Sequence, residues 1–173
     1  MQKVRQFYHS SENLGGAAPQ ADAIYMLVKR KDTFLKHIAA IDKLMKECYT
    51  VETDPRSENG LKVVVSDNQK LNSLQTEKSM YSASIQKFDK QLDAIDTLLA
   101  KEKGIRDPSP AHMIERAKYL RLLIRDKQME FFSRQTGMQL PVPPEIQKQI
   151  DEFEAEASRL EGIAEQVTKL AEH

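Results

Sequence analysis

The sequence predicts an all-α protein made of elongated antiparallel helical hairpins, a coiled-coil-like bundle of four long helices. Four segments without internal proline repeat apolar residues at alternating spacings of three and four, which is typical of helices that pair along a narrow apolar seam. Breaks rich in proline and glycine separate these segments. Residues 66–103 would form a helix about 57 Å long, whereas a compact globule of this chain length is about 40 Å across. We therefore expect an elongated molecule.

The first two helices are predicted from their apolar seams. The first seam contains Ile24, Leu27, Phe34, Ile38, Ile41, Met45 and Cys48, and the second contains Leu71, Leu74, Tyr81, Ile85, Phe88, Leu92, Ile95 and Leu99. One lysine interrupts each seam, Lys31 in the first and Lys78 in the second. Such a lysine either fixes the register of the pair or extends its stem so that the ammonium group reaches solvent. We favour the second interpretation.

The connection between these helices is predicted less directly. Residues 54–60 are rich in turn formers. Residues 62–65 prefer a strand on propensity alone, and we interpret them as an extended connection or an irregular first turn. Ser66 with Gln69 matches a capping box and predicts the start of the second helix. Val51 is assigned to a wide apolar face of the first segment. At the other end of the second helix, Gly104 is expected to end the helix in a left-handed conformation.

The third and fourth helices are predicted to pair through opposite charges. Their seams comprise Met113, Ala117, Leu120, Ile124 and Phe131 in the third, and Ile146, Ile150, Phe153, Ala157, Leu160, Ala164, Val167 and Ala171 in the fourth. Ser109 with Pro110, and Pro144 with Glu145, are typical helix starts, and Gly137 is expected at a helix end. Residues 110–137 hold six basic and three acidic side chains, whereas residues 144–173 hold three basic and eight acidic ones. We expect an antiparallel hairpin with these charges facing each other.

The breaks give a three-part organisation: an N-terminal leader at 1–20, a first helical hairpin at 21–106 and a second at 107–173. Residues 1–16 are basic and contain a single acid, Glu12, so a mitochondrial presequence and a short helix or frayed tail both stay open. With one cysteine, Cys48, an intramolecular disulfide is impossible, which favours the cytoplasm or another reducing compartment. We expect Cys48 to be a buried apolar residue rather than a reactive thiol.

The sequence predicts no enzyme, no metal site and no cofactor. Four scattered histidines, His9, His37, His112 and His173, do not combine with the single cysteine into a ligand spacing. Glycine-rich phosphate loops, nucleophile elbows and E-x-x-H motifs are all missing from the chain. The net charge is zero, whereas proteins that live on nucleic acid or anionic membranes usually carry a basic excess.

The leading functional prediction is a non-catalytic helical scaffold or adaptor, a subunit of a larger protein assembly whose partners are other, helical, protein subunits. The third helix has apolar residues outside its seam: Tyr119, Leu122, Met129 and Phe132. We predict that this second stripe is a protein interface with Arg121 and Arg125 on its rim, and its burial against the first hairpin is the alternative. A second function also stays open, binding of nucleic acid or an anionic membrane surface by the basic helix 110–137.

Overall fold

The chain folds into four long helices and one β-hairpin in the residues that the computed structural model describes, which are 4, 6–8, 22–58, 60–133 and 141–172. Helix covers 79% of them, so the predicted all-α class is broadly confirmed, with a small sheet added. The elements in chain order are α1 (Ala23–Glu47), β1 (Tyr49–Thr53), β2 (Leu61–Val65), α2 (Asn68–Lys101), α3 (Pro110–Ser133) and α4 (Pro144–Glu172). Residue 4 and residues 6–8 are also helical.

The chain divides into two compact units, and the division falls within α1 and α2. One unit spans Leu27–Gln91, and the other combines Met1–Met26 with Leu92–His173. The three-part organisation predicted from sequence breaks remains a prediction. The predicted helix end at Gly137 lies outside the described residues.

The Leu27–Gln91 unit is an antiparallel helical hairpin whose two helices meet through aromatic rings. The Phe34 ring of α1 lies 5.0 Å from the Tyr81 ring and 5.5 Å from the Phe88 ring of α2, measured between centroids. Further towards the connection, a small core forms from Ile41, Cys48, Leu71 and Leu74, with Met45, Val65 and Tyr81 packed against it. The helices therefore pair through the seams that the sequence predicts.

The two seam lysines of this unit bind across the hairpin. The Nζ of Lys31 donates to Oδ1 of Asp89 at 2.6 Å, and the Nζ of Lys78 donates to Oδ1 of Asp42 at 2.6 Å. The Lys31 side chain is only 19% exposed. Each pair joins α1 to α2, so both ammonium groups bind an aspartate of the facing helix, and the Lys78 side chain is still 38% exposed. That the two lysines fix the register of the pair stays a prediction.

The connection between α1 and α2 is an antiparallel β-hairpin, which corrects two sequence predictions. β1 and β2 are in register with Tyr49 opposite Val65 and Val51 opposite Val63. Val51 therefore belongs to a strand and not to the helical face. Residues 62–65 are extended, as one of the two predicted alternatives has it, but they form a paired strand rather than an irregular turn. The physical reason is that the strand-forming residues on the two sides of the turn-rich stretch 54–60 can pair with each other. Gly60 has a φ of +65°, a left-handed backbone conformation that glycine adopts without steric cost, so it fits this position in the turn.

The start of α2 differs from the predicted capping box. Asp67 is the N-cap, since its Oδ1 accepts a hydrogen bond from the Lys70 amide at 2.8 Å. The Ser66 hydroxyl donates instead to the Cys48 carbonyl at 2.9 Å, and the Ser66 amide donates to the same oxygen. Ser66 therefore closes the base of the β-hairpin, one residue before the helix cap.

In the other unit, α3 and α4 form the second antiparallel hairpin. Seam residues Met113, Ala117, Leu120 and Ile124 are buried on α3, and α4 buries Ile150, Ala157, Leu160, Ile163, Ala164, Val167 and Ala171. Ser109 caps α3 as predicted, because its Oγ accepts from the His112 amide at 3.1 Å. α4 begins at Pro144, and Gly104 has a φ of +82°, which confirms both expectations from the sequence.

Candidate interaction surfaces

The predicted second stripe of α3 is a solvent-exposed apolar surface. Tyr119, Leu122, Met129 and Phe132 are between 50 and 66% exposed. At 100° per residue, Leu122 and Met129 lie on the side of α3 opposite the buried seam, and the four residues extend over about 20 Å of helix. The Phe132 ring also contacts the Phe131 ring edge-on, with centroids 5.9 Å apart. The structure thus brings together the four apolar residues that the sequence predicts as an interface.

The two arginines predicted beside this stripe have different surroundings. Arg121 donates to both carboxylate oxygens of Glu161, at 2.8 Å for the Nη2–Oε2 pair, and to Glu154 at 3.4 Å. The hydrogen bonds between these two side chains lower the pKa of Glu161 and raise the pKa of Arg121. Arg125 is exposed and forms no ion pair with the described residues. Arg121 therefore joins α3 to α4, whereas Arg125 is exposed to solvent.

Much of the positive charge on α3 is matched by α4. Besides Arg121, an Nη atom of Arg116 lies 3.9 Å from Glu156 Oε1, and the Nζ of Lys127 donates to the Gln149 amide oxygen at 2.6 Å. These contacts confirm the predicted antiparallel hairpin with opposite charges facing each other. They also reduce the field that α3 presents to an anionic surface, because each paired arginine is partly neutralised.

A second apolar surface lies on the β-hairpin, and the sequence interpretation missed it. Tyr49, Val51, Leu61 and Val63 are between 43 and 66% exposed, although all four are large and apolar. The signal was present as two β-branched runs, 49–53 and 61–65, on either side of a turn-rich stretch. The first run was assigned to the end of a helix, so it was not considered as a partner for the second.

The buried polar groups of the unit that contains α3 and α4 have a structural role. The Tyr8 hydroxyl donates to Asp22 Oδ2 at 2.5 Å, and Asp22 Oδ1 accepts from the Ile24 amide at 2.9 Å. Asp22 thus caps α1 and anchors the N-terminal segment. Burial raises the pKa of Tyr8, and the hydrogen bond to Asp22 raises it further. This phenol is held neutral, which suits an anchor rather than a proton donor in catalysis.

A cavity of about 670 Å³ lies between the N-terminal segment and the end of α2. Two of its charged side chains take part in internal contacts: Asp96 Oδ1 accepts from the Val4 amide at 3.2 Å, and Glu102 accepts from Arg159 at 2.6 Å. Arg106 also lines the cavity. The described lining residues include no Ser, Cys or His.

Neither a metal-binding cluster nor a bilayer-spanning helix occurs among the residues that the structure describes. Among the described residues, no three His, Cys, Asp or Glu side chains come together as a metal site would require. None of the helices that the structure describes has the length and hydropathy needed to cross a bilayer. Comparison with protein-family models, curated proteins and solved structures finds no match for this chain.

Proposed function

We propose that this protein is a non-catalytic helical scaffold or adaptor, a subunit of a larger protein assembly that acts through coiled-coil and helix-face contacts. The observation that carries the proposal is the exposed stripe of Tyr119, Leu122, Met129 and Phe132 on α3. In this proposal the four long helices act as coiled-coil-like hairpins, and the stripe receives an amphipathic helix of another subunit.

The chemistry of the stripe supports a protein partner. Tyrosine, methionine, phenylalanine and arginine are enriched at protein interfaces, and the energetically dominant residues cluster at the centre. Fully burying one large apolar side chain contributes about 1.5–3 kcal/mol, so covering the exposed half of four residues offers several kcal/mol of gross binding free energy. Residues 119 to 132 span nearly four helical turns, which is a length that a helix packed alongside α3 can cover.

The charge distribution favours this function over a nucleic-acid or membrane surface. Arg116 and Arg121 contact α4 carboxylates, whereas phosphate binding depends on basic groups that are free to replace counterions. Acidic residues Asp126 and Glu130 are also exposed on α3. A partner helix needs only the apolar stripe and a rim charge such as Arg125.

The experiment compares proteins captured from the native organism by three forms of the tagged chain. The test variant carries Leu122→Glu with Met129→Glu, which places two carboxylates at the centre of the stripe. The control carries Ala155→Glu with Gln166→Glu, which adds the same charge at exposed positions on the side of α4 opposite its buried seam. Thermal unfolding should be nearly unchanged in both, because exposed substitutions usually shift stability by about 0.5 kcal/mol or less.

The proposal expects the wild-type chain and the control to retain the same stoichiometric partner and the stripe variant to lose it. A stripe variant that retains the partner would contradict the proposal. A large loss of stability in the stripe variant alone would show that Leu122 and Met129 belong to the core, and the proposed interface would then be rejected.

A further inference from the structure

The β-hairpin of the Leu27–Gln91 unit has one apolar face that its own unit covers only at the base. The register places on this face Tyr49, Val51 and Thr53 from β1 with Leu61, Val63 and Val65 from β2. Val65 packs against the core formed by Ile41, Cys48, Leu71 and Leu74. Tyr49, Val51, Leu61 and Val63 remain 43–66% exposed. The exposed apolar face is thus continuous with the core of the hairpin.

The backbone groups of the same residues point outwards. The Asp54 amide donates to the Gly60 carbonyl at 2.9 Å, and the Ser66 amide donates to the Cys48 carbonyl at 2.8 Å. Because hydrogen-bonded and non-bonded pairs alternate in an antiparallel ladder, Thr50 and Glu52 bond to β2, whereas Tyr49, Val51 and Thr53 direct their N–H and C=O groups to the outer edge. Backbone donors and acceptors at this edge are oriented for another strand.

The edge of β1 is more accessible than the edge of β2. All five residues of β1 are exposed, whereas the last two residues of β2, Val64 and Val65, are partly buried. A strand that pairs with β1 can therefore extend along its whole length. It would also place alternate side chains beside Val51 on the apolar face.

We infer that the outer edge of β1 binds an extended peptide segment of a partner protein, which adds a third strand to the hairpin and covers its apolar face. Two-stranded sheets are marginal in water, and a third strand with a shared apolar face is what gives a sheet independent stability. Strand addition satisfies the outward N–H and C=O groups of Tyr49, Val51 and Thr53 through the main chain of the peptide. This inference is independent of the proposed α3 interface, because the two surfaces belong to different units.

The size of the face favours a peptide over a second copy of this chain. The largest apolar patch on a typical monomer is about 300–600 Å², and a face of four partly exposed side chains is of that order. Stable protein interfaces bury about 800 Å² per partner. An added strand needs less side-chain area because main-chain hydrogen bonds contribute to its affinity. A peptide therefore fits this surface better than a globular face does.

The charges beside the edge define the chemistry of the peptide. On the polar face, Glu52 of β1 lies opposite Lys62 of β2, and the new strand would place a side chain on the other side of Glu52. A basic residue there is favoured, because opposite charges on adjacent strands attract and like charges repel. The expected ligand alternates β-branched apolar residues with polar ones and carries Lys or Arg near its centre.

The test measures amide hydrogen exchange of the full chain by NMR with a synthetic peptide as the probe. The peptide is acetyl-Thr-Val-Lys-Val-Thr-Val-Thr-amide, and its control has the same composition with the three valines consecutive, so that they cannot share one face of a strand. We expect the amides of Val51 and Thr53 to exchange at least about tenfold more slowly with the alternating peptide. The amides of Thr50 and Glu52 should already be protected without it.

A matched pair of variants tests the edge itself. Val51→Pro removes an outward N–H from β1, and Val63→Pro removes one from β2, at positions where proline leaves the bonds between the strands intact. We expect Val51→Pro to weaken peptide binding at least about tenfold and Val63→Pro to change it less than about threefold. Thermal unfolding checks that both variants are folded.

Three results would overturn the inference, and the first two need no variant. One is the absence of amide protection in the wild-type chain with the alternating peptide, or equal protection by the control peptide. Another is protection that grows with protein concentration without peptide, which would make a second copy the occupant. The third is protection at Leu61 and Val63, or loss of binding only in Val63→Pro, which would place the peptide on β2.

Discussion

Replacing Phe34 by alanine should destabilise the Leu27–Gln91 unit by about 2–4 kcal/mol, which is the sum of the buried area of Phe34 and its two contacts with aromatic rings. Phe34 is partly buried, so its area contributes about 1–1.5 kcal/mol, roughly half of the value for full burial. Its ring pairs with the Tyr81 and Phe88 rings, and each such pair adds about 0.5–1.5 kcal/mol. The loss is concentrated where α1 meets α2.

The assay is urea unfolding followed by circular dichroism, with amide hydrogen exchange to assign the loss to residues 27–91. Met80→Ala is the matched control, because Met80 is next to Tyr81 but is 67% exposed. We expect the control to change the free energy of unfolding by less than about 0.5 kcal/mol. A double-mutant cycle of Phe34→Ala with Phe88→Ala should give a coupling free energy of about 0.5–1.5 kcal/mol.

The reasoning would be refuted by a Phe34→Ala variant that unfolds like the Met80→Ala control, or by additive effects of the two phenylalanine substitutions. Either result would mean that the register of the hairpin does not place these rings in contact. Destabilisation with loss of protection only outside residues 27–91 would also contradict it.

The remaining predictions concern single groups. Cys48 is 1% exposed, so a thiol reagent should label it at least about a hundredfold more slowly in the native than in the unfolded chain; equal rates would show that it is accessible. The hydrogen bond from Arg121 lowers the pKa of Glu161, so the contribution of Glu161 to stability is present above its ordinary pKa of 4.5 and is lost as the pH falls through the lowered value. Glu161→Gln should therefore make the thermal unfolding temperature less sensitive to acid. An unchanged dependence of this temperature on pH would argue against the ion pair with Arg121. Burial and the hydrogen bond to Asp22 raise the pKa of Tyr8, so its stabilising contribution is complete below its ordinary pKa of about 10 and is lost as the pH rises through the raised value. In an ultraviolet titration, Tyr8→Phe should remove a tyrosine that ionises only as the protein unfolds. Loss of a tyrosine that titrates normally would contradict the burial of Tyr8.

The helices were predictable because their signals are local and periodic. Ser109 and Pro144 mark helix starts by side-chain and backbone chemistry that acts within one turn. The opposite net charges of helices 110–137 and 144–173 predicted their pairing, and the contacts of Arg121 with Glu154 and Glu161 show the charges facing each other. Local patterns and complementary charge are therefore sufficient for this hairpin.

The β-hairpin was not predicted because strand formation depends on a partner that the sequence does not mark. Residues 62–65 have strand propensity, but propensity becomes a strand only when a second segment supplies hydrogen bonds. Residues 49–53 follow a helical seam without a proline, so their β-branched residues were assigned to that helix. Likewise, Lys31 and Lys78 gave no sign of their aspartate partners, since those lie on the other helix.

The stripe on α3 was predictable from spacing, whereas its exposure was not. Tyr119, Leu122, Met129 and Phe132 fall outside the seam by position alone. Whether a second apolar stripe is core or surface depends on which element packs on it, and that is a property of the tertiary structure. The same reasoning explains why Arg121 was grouped with the stripe although it binds α4.

The most direct test of the scaffold proposal is photo-cross-linking in the native organism from within the stripe. A benzoylphenylalanine side chain would replace Phe132 in one form of the chain. In a matched form it would replace Ala155, which is exposed on the side of α4 opposite its buried seam. The proposal predicts one discrete adduct from position 132, which Leu122→Glu with Met129→Glu abolishes, and little or none from position 155. Equal adducts from both positions, or none from position 132, would contradict the claim that the α3 stripe binds a partner subunit.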